Sequence, residues 1–172
     1  MGNEKSEIRN PKSESKIEVK MGEGVITRAP HVISSLGLGS CVAVILYDTQ
    51  RGIGGLAHIM LPDSRSLDGT YSPYRYADTA IATLIQGLRD RGAARRHLVA
   101  KIAGGARMFA NYGKSDNGIG AQNIMTIKRI LKAERIRLIG QDTGGHHGRS
   151  IQFHLDSGKA IVTAIGKQAK EI

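Results

Sequence analysis

The chain has 172 residues, of which 40% are hydrophobic, and a formal net charge of +10. This length suits one domain with a substantial core, and no run approaches the roughly 18 apolar residues that a membrane helix needs. We expect no secretory segment at the polar N-terminus, and the single cysteine excludes an internal disulfide. The composition therefore predicts a cytoplasmic protein.

Residues 1–16 are polar and without periodicity, which predicts a disordered tail before one domain at residues 17–172. Segment 16–22 alternates apolar and polar residues as a strand does, and we expect segment 24–30 to continue it into a loop. Segment 41–48 is a nearly continuous apolar run, typical of a strand buried on both faces. A further strand is predicted over residues 52–62.

Two helices are predicted, over residues 74–91 and 119–134, because apolar residues recur there at helical spacing. The apolar positions are Ala77, Ala80, Ile81, Leu84, Ile85 and Leu88 in the first helix, and Ile124, Ile127, Ile130 and Leu131 in the second. Strands are predicted at 97–105, 136–142, 149–155 and 159–165. With many strands and few helices, the pattern predicts an α+β fold whose sheets are covered by two helices.

The only cysteine follows a glycine-rich turn, in "GLGSC", and precedes the buried strand. If Tyr47 pairs with Gly52 in a hairpin, Cys41 lies directly opposite His58, with Cβ atoms about 4.5–5.5 Å apart. An adjacent imidazolium would then lower the thiol pKa and later protonate a leaving amine. A lone cysteine in an apolar strand is more often a plain core residue, so both interpretations stay open.

Thiolate attack on a carbonyl creates an oxyanion, which needs backbone N–H donors. The turn before the cysteine predicts such donors in the amides of Gly39, Ser40 and Cys41. A cysteine–histidine pair also needs a group that orients the imidazole. The nearby candidates are Ser34, Ser35, Ser40 and Asp48, and the pattern alone does not choose among the serines.

Residues 89–139 carry twelve Lys and Arg against three Asp and Glu, a net charge of +9. Such a surface favours acidic partners, but aromatic residues are too scarce to supply a base-stacking platform, so we expect no nucleic-acid binding. The histidines of "GGHHG" at 144–148 would point to opposite faces of a strand. We therefore expect surface histidines in a turn rather than a metal site.

The motifs "LGLGSCVAVILYD" at 36–48, "GGLAHIMLP" at 54–62, "KIAGGARMF" at 101–109, "IGAQN" at 119–123 and "DTGGHHGRSIQFHLDSG" at 142–158 resemble the CheD chemoreceptor glutamine deamidases. The resemblance implies a Cys41 nucleophile and a His58 general base and acid. The family's third catalytic residue is a threonine, and Ser35 stands at that position here. Asn123 matches the family pattern, although the pattern suggests no role for it.

The resemblance further implies a sandwich of mixed β-sheets flanked by helices, similar to the catalytic domain of the cytotoxic necrotizing factors. The expected enzyme needs no metal or organic cofactor, acts on glutamines of methyl-accepting chemoreceptors, binds a CheC-type phosphatase and is a monomer that does not insert into the membrane. An adaptor that binds these partners with little or no catalysis is the alternative, because a serine replaces the usual threonine.

Overall fold

The computed structural model describes residues 15–65, 72–108 and 118–172. The predicted tail at residues 1–16 falls mostly on 1–14, outside the described residues, and the first strand begins at Lys16. In the described part of the chain, ten strands form two five-stranded mixed sheets, accompanied by two α-helices and a 3₁₀ turn at Arg95–His97. The α+β class and the helix-flanked mixed sheets are therefore confirmed.

The first sheet has the strand order β1-β3-β8-β9-β10, with β1 parallel to β3 and the other neighbours antiparallel. Its strands are β1 (Lys16–Glu18), β3 (Val32–Leu38), β8 (Arg149–His154), β9 (Lys159–Thr163) and β10 (Lys170–Glu171).

The second sheet has the strand order β2-β5-β4-β6-β7, with β6 parallel to β7 and the other neighbours antiparallel. Its strands are β2 (Gly24–Arg28), β4 (Val42–Asp48), β5 (Ile53–Ile59), β6 (Leu98–Gly104) and β7 (Arg137–Thr143). The expectation that 24–30 merely continues the first strand is wrong, because β2 pairs with β5 in the other sheet.

The two helices are α1 (Ala77–Asp90) and α2 (Ile119–Ala133). All six apolar positions predicted for the first helix are buried. On α2, Ile127 and Leu131 are buried as predicted, whereas Ile124 and Ile130 are only partly buried. The residue that completes the buried face is polar, Asn123. No helix of the described residues is long and apolar enough to cross a membrane.

Strand β4 lies at the centre of the second sheet and is buried on both faces, as its apolar run predicts. Val44 and Leu46 pack in one core with the residues of α1 and α2. Ala43 and Ile45 pack in a second core between the two sheets, together with Phe153 of β8. The side chains that enter this inter-sheet layer determine the candidate site, because His58 of β5 and Ser35 of β3 approach each other across it.

Candidate active site

A buried hydrogen bond joins the two sheets through Ser35 and His58. Ser35 is fully buried on β3, and His58 is 1% exposed on β5. The hydroxyl Oγ of Ser35 lies 2.8 Å from Nδ1 of His58. Of the four candidates for orienting the imidazole, the structure therefore brings Ser35 to it.

The proton positions in this contact follow from a third group, the main-chain carbonyl of Val19. Ser35 Oγ donates its only proton to that carbonyl over 2.8 Å, because a carbonyl oxygen can only accept. Ser35 must then accept a proton from Nδ1 of His58. The neutral imidazole is thereby held in the tautomer that carries its proton on Nδ1 and leaves Nε2 as a lone-pair base.

Nε2 of His58 is buried and has no hydrogen-bond partner among the described residues. Burial lowers the pKa of His58 below its ordinary value of 6.5, so the ring is neutral at neutral pH. A buried, unprotonated and unpartnered nitrogen is unusual, since buried polar atoms are nearly always paired. Such a nitrogen can accept a proton, which is the chemistry that a general base requires.

The predicted register between the strands that carry Cys41 and His58 is wrong by two residues. Tyr47 pairs with Gly54, so the residue opposite His58 is Ala43 rather than Cys41. A two-residue slip leaves each side chain on its predicted face, because strand side chains alternate with a period of two. Cys41 immediately precedes β4, two residues before Ala43, and its carbonyl accepts the N–H of Gly105 at 2.8 Å.

Cys41 is 9% exposed, and Nε2 of His58 makes no hydrogen bond with its thiol. Burial raises the pKa of Cys41 above its ordinary value of 9.0, and the residue's own backbone N–H lowers it in part. The expected imidazolium that lowers the thiol pKa is therefore not the resting state of this site. Both pKa shifts favour a neutral thiol at Cys41 and a neutral imidazole at His58.

Main-chain hydrogen bonds hold the turn before Cys41. Gly39 donates its N–H to Gly37 O at 3.0 Å, and Ala106 donates to Gly39 O at 2.7 Å. Within the described residues, the N–H groups of Ser40 and Cys41 make no main-chain hydrogen bond outside the regular elements. A Cβ at Gly104 (φ 116°) would lie 2.2 Å from the Cys41 carbonyl oxygen, so only glycine allows β6 to approach this closely.

A cavity of about 550 Å³ opens beside the turn at Ser40. Its walls come from the segment after β6, the start of α2 and the turn between β7 and β8, and several wall residues are glycines that expose backbone. Met108, Ile119 and Ile124 make part of the lining apolar. Ser40 lines this cavity, whereas Cys41 and His58 do not.

The remaining candidates for orienting the imidazole make other contacts. Ser34 Oγ donates to Ile17 O at 3.4 Å, on the neighbouring strand. Asp48, at the opposite end of β4, accepts the backbone N–H groups of Gln50, Arg51 and Ala94 and therefore has a structural role.

The histidines of the "GGHHG" turn lie between β7 and β8. His146 is exposed, with Nδ1 3.3 Å from Arg107 O, and His147 lies beside Arg149 and Lys167. Among the residues that the structure describes, no three His, Cys, Asp or Glu side chains cluster as a metal site would require.

The sequence analysis missed one group at this site, the Val19 carbonyl, and gave no role to another, Asn123. The Val19 carbonyl leaves no trace in side-chain patterns, because any residue could supply it. Asn123 does leave a signal, since a polar residue interrupts the apolar face of α2, but its partners are main-chain carbonyls remote in sequence. Its Nδ2 donates to Ser40 O at 3.1 Å and to Met60 O at 2.9 Å.

Comparison with known proteins identifies the family. A family model described as CheD chemotactic sensory transduction matches residues 60–164, which begins after Cys41 and His58. A chemoreceptor glutamine deamidase CheD of Thermotoga maritima is 44% identical over 148 residues, covering 86% of this chain and 91% of the relative. A probable chemoreceptor glutamine deamidase CheD of Moorella thermoacetica is 45% identical over 159 residues, covering 90% and 95%.

Among solved structures, the Bacillus licheniformis hypothetical protein YfiH aligns with a TM-score of 0.46 at 14% identity, covering 69% of this chain and 49% of that one. This likeness is too weak to carry an argument about fold or function. The sequence relatives, in contrast, match nearly end to end. The chain belongs to the CheD family.

Proposed function

We propose that this chain is a cysteine-dependent protein-glutamine deamidase that converts glutamine side chains of methyl-accepting chemoreceptors to glutamate. The observation that carries the proposal is the buried His58, with its proton on Nδ1 and a free Nε2, paired with Ala43 two residues after Cys41. The names of the relatives, chemoreceptor glutamine deamidase, support the substrate class.

The chemistry begins from the neutral pair. Nε2 of His58 takes the thiol proton as Cys41 Sγ attacks the carboxamide carbon, which forms a tetrahedral oxyanion. The intermediate collapses when the imidazolium gives that proton to the departing NH₂ group, so that ammonia leaves and a thioester remains. Nε2 then takes a proton from water, the hydroxide attacks the thioester, and glutamate and the free thiol are released.

Ser35 keeps the imidazole in the required tautomer throughout, because the Val19 carbonyl occupies the hydroxyl proton. In this role Ser35 replaces the threonine of the family without loss of the hydroxyl. The oxyanion requires donors on the nucleophile's side of the turn. We assign these to the backbone N–H groups of Ser40 and Cys41, since the N–H of Gly39 is engaged by Gly37.

We infer the binding partners from the positive charge of this chain and from its family. The strongly basic stretch at residues 89–139 suits acidic receptor helices, and a CheC-type phosphatase would dock near the same face. We propose a monomer that works in the cytoplasm without metal, organic cofactor or nucleic acid. We also propose that the sandwich is related to the catalytic domain of the cytotoxic necrotizing factors.

The test is ammonia release from a receptor cytoplasmic fragment, together with mass spectrometry of the modified glutamines. We expect turnover by the native chain and none by Cys41→Ala, with both proteins equally folded by circular dichroism. Turnover that survives Cys41→Ala would refute the cysteine mechanism. Receptor binding without any turnover by the native chain would instead identify an adaptor, the alternative function.

A further inference from the structure

The polar residue on the buried face of α2, Asn123, contacts both strands that carry the proposed catalytic pair. Asn123 is fully buried, and its amide nitrogen donates to Ser40 O, one residue before Cys41, and to Met60 O, two residues after His58. Two carbonyl acceptors on one atom fix the orientation of the amide, because only the NH₂ group can serve both. Oδ1 has no partner among the described residues.

Helix α2 is brought to this position by close backbone packing at its first turn. A Cβ at Gly120 would lie 2.6 Å from the carbonyl oxygen of Gly105, so a side chain there would displace the helix. Gly105 in turn donates its N–H to Cys41 O at 2.8 Å. Asn123 therefore reaches Ser40 from a helix that is itself packed on the backbone holding the nucleophile.

The contact with Ser40 O determines where the N–H of Cys41 points. In a planar trans peptide, the C=O and the following N–H point in opposite directions. A carbonyl of Ser40 held toward Asn123 thus turns the N–H of Cys41 away from the helix. That N–H makes no main-chain hydrogen bond outside the regular elements in the described part of the chain. It is therefore available to an oxyanion on the side of the peptide that faces away from α2.

The second contact fixes the same peptide relative to the strand that carries the base. By the β4–β5 register, Met60 is the residue that would stand opposite Cys41. The Asn123 amide therefore links the residue before Cys41 to the residue after β5, at the point where the β4–β5 ladder ends.

We propose that Asn123 is a positioning residue for deamidation, which aims the Cys41 N–H at the oxyanion by holding the Ser40 carbonyl. The inference rests on the proposed function, since it assigns the oxyanion donor of that reaction. Asn123 acts through the Ser40–Cys41 peptide and has no contact of its own with the reacting atoms in this role.

The experiment compares two reactions of the same thiol in Asn123→Ala and the native chain. Deamidation of a receptor fragment passes through an oxyanion, whereas alkylation of Cys41 by iodoacetamide does not. We expect kcat for deamidation to fall roughly 10- to 100-fold, because a misaligned donor loses much of the factor of about 100 or more that an intact one supplies. KM and the alkylation rate should change by less than about threefold.

Ile127→Ala is the matched control, since Ile127 is fully buried one turn further along α2 and bonds to no carbonyl near the site. It should lower the melting temperature while leaving the ratio of deamidation to alkylation unchanged. Equal losses in both reactions of Asn123→Ala, or no loss in either, would overturn the proposal.

If Asn123→Ala does not fold, Asn123→Ser, which keeps one hydroxyl donor, is measured in the same way. A failure of both variants to fold would make Asn123 a structural residue and also overturn the proposal. Failure of the proposed function gives a different result, because the native chain would then release no ammonia while its thiol still reacts with iodoacetamide.

Discussion

Replacing Ser35 with alanine removes the hydroxyl that links His58 to the Val19 carbonyl. In the native chain that hydroxyl makes two buried contacts of 2.8 Å, one with each partner. Without it, the Nδ1–H of His58 has no acceptor, and nothing favours the tautomer that leaves Nε2 free. The tautomer with its proton on Nε2 cannot accept the thiol proton, so deamidation should slow.

The magnitude follows from the lost contact. Leaving a buried donor unpaired costs about 1–3 kcal/mol, and the same energy holds the imidazole in its reactive tautomer and orientation. Since each 1.4 kcal/mol is a factor of ten in rate, kcat for ammonia release should fall by roughly 5- to 150-fold. The free energy of unfolding should fall by about 1–3 kcal/mol in chemical denaturation.

Ser34→Ala is the matched control for this prediction. Ser34 is 1% exposed on the same strand, but its hydroxyl bonds Ile17 O and not the imidazole. It should retain nearly full turnover. Ser35→Thr, which keeps the hydroxyl, should retain turnover as well. Nitrogen-15 NMR of the histidines reads the tautomer directly, with the proton on Nδ1 in the native chain. If Ser35→Ala is no slower than Ser34→Ala, the orienting role is refuted.

Three further predictions concern the titration and the packing of the site. Because burial raises the pKa of Cys41 above 9.0, the rate of its alkylation by iodoacetamide should still increase with pH at pH 9. A rate that is already constant above about pH 6 would instead show that the resting site is a thiolate–imidazolium pair. Because the pKa of His58 is lowered below 6.5 in the folded chain, the unfolded chain binds the proton more readily, so the contribution of His58 to stability is present above pH 6.5 and is lost as the pH falls. When denaturation is measured across pH, the stability of His58→Gln should therefore depend less steeply on pH than that of the native chain. Identical curves for the two proteins would contradict the lowered pKa. Gly104→Ala would place a Cβ 2.2 Å from the Cys41 carbonyl oxygen. Ammonia release should then fall at least about tenfold, because displacements of about 1 Å at a catalytic site can lower the rate 100-fold. Normal turnover would show that β6 moves to accept the side chain without displacing Cys41.

The amino-acid pattern predicted much of the fold correctly, because burial imposes a period on the sequence that does not depend on distant partners. The apolar face of α1 and the double-sided burial of β4 follow from such periodicity. The assignment of β2 failed for the complementary reason. A short, partly buried strand such as Gly24–Arg28 carries no local mark of which sheet it joins, and its pairing with β5 is decided by packing alone.

At the candidate site, the sequence by itself predicted Cys41 and His58 and, through the family resemblance, Ser35, which the structure brings to the His58 imidazole. The direct pairing of thiol and imidazole was predicted wrongly by two residues, since the turn between β4 and β5 determines the register and its length is not evident from the apolar pattern. The error is an even number of residues, so the predicted parity of the β4–β5 register agrees with the observed one.

Only the tertiary structure determined the protonation states of these residues and the hydrogen bonds that hold them in place. The proton on Nδ1 of His58 depends on the Val19 carbonyl, and the direction of the Cys41 peptide depends on Asn123. Main-chain carbonyls are common to all residues, so no sequence pattern marks the ones that matter. Burial likewise sets the pKa directions of the thiol and imidazole, because the energy of a charge depends on the surroundings that the folded chain assembles.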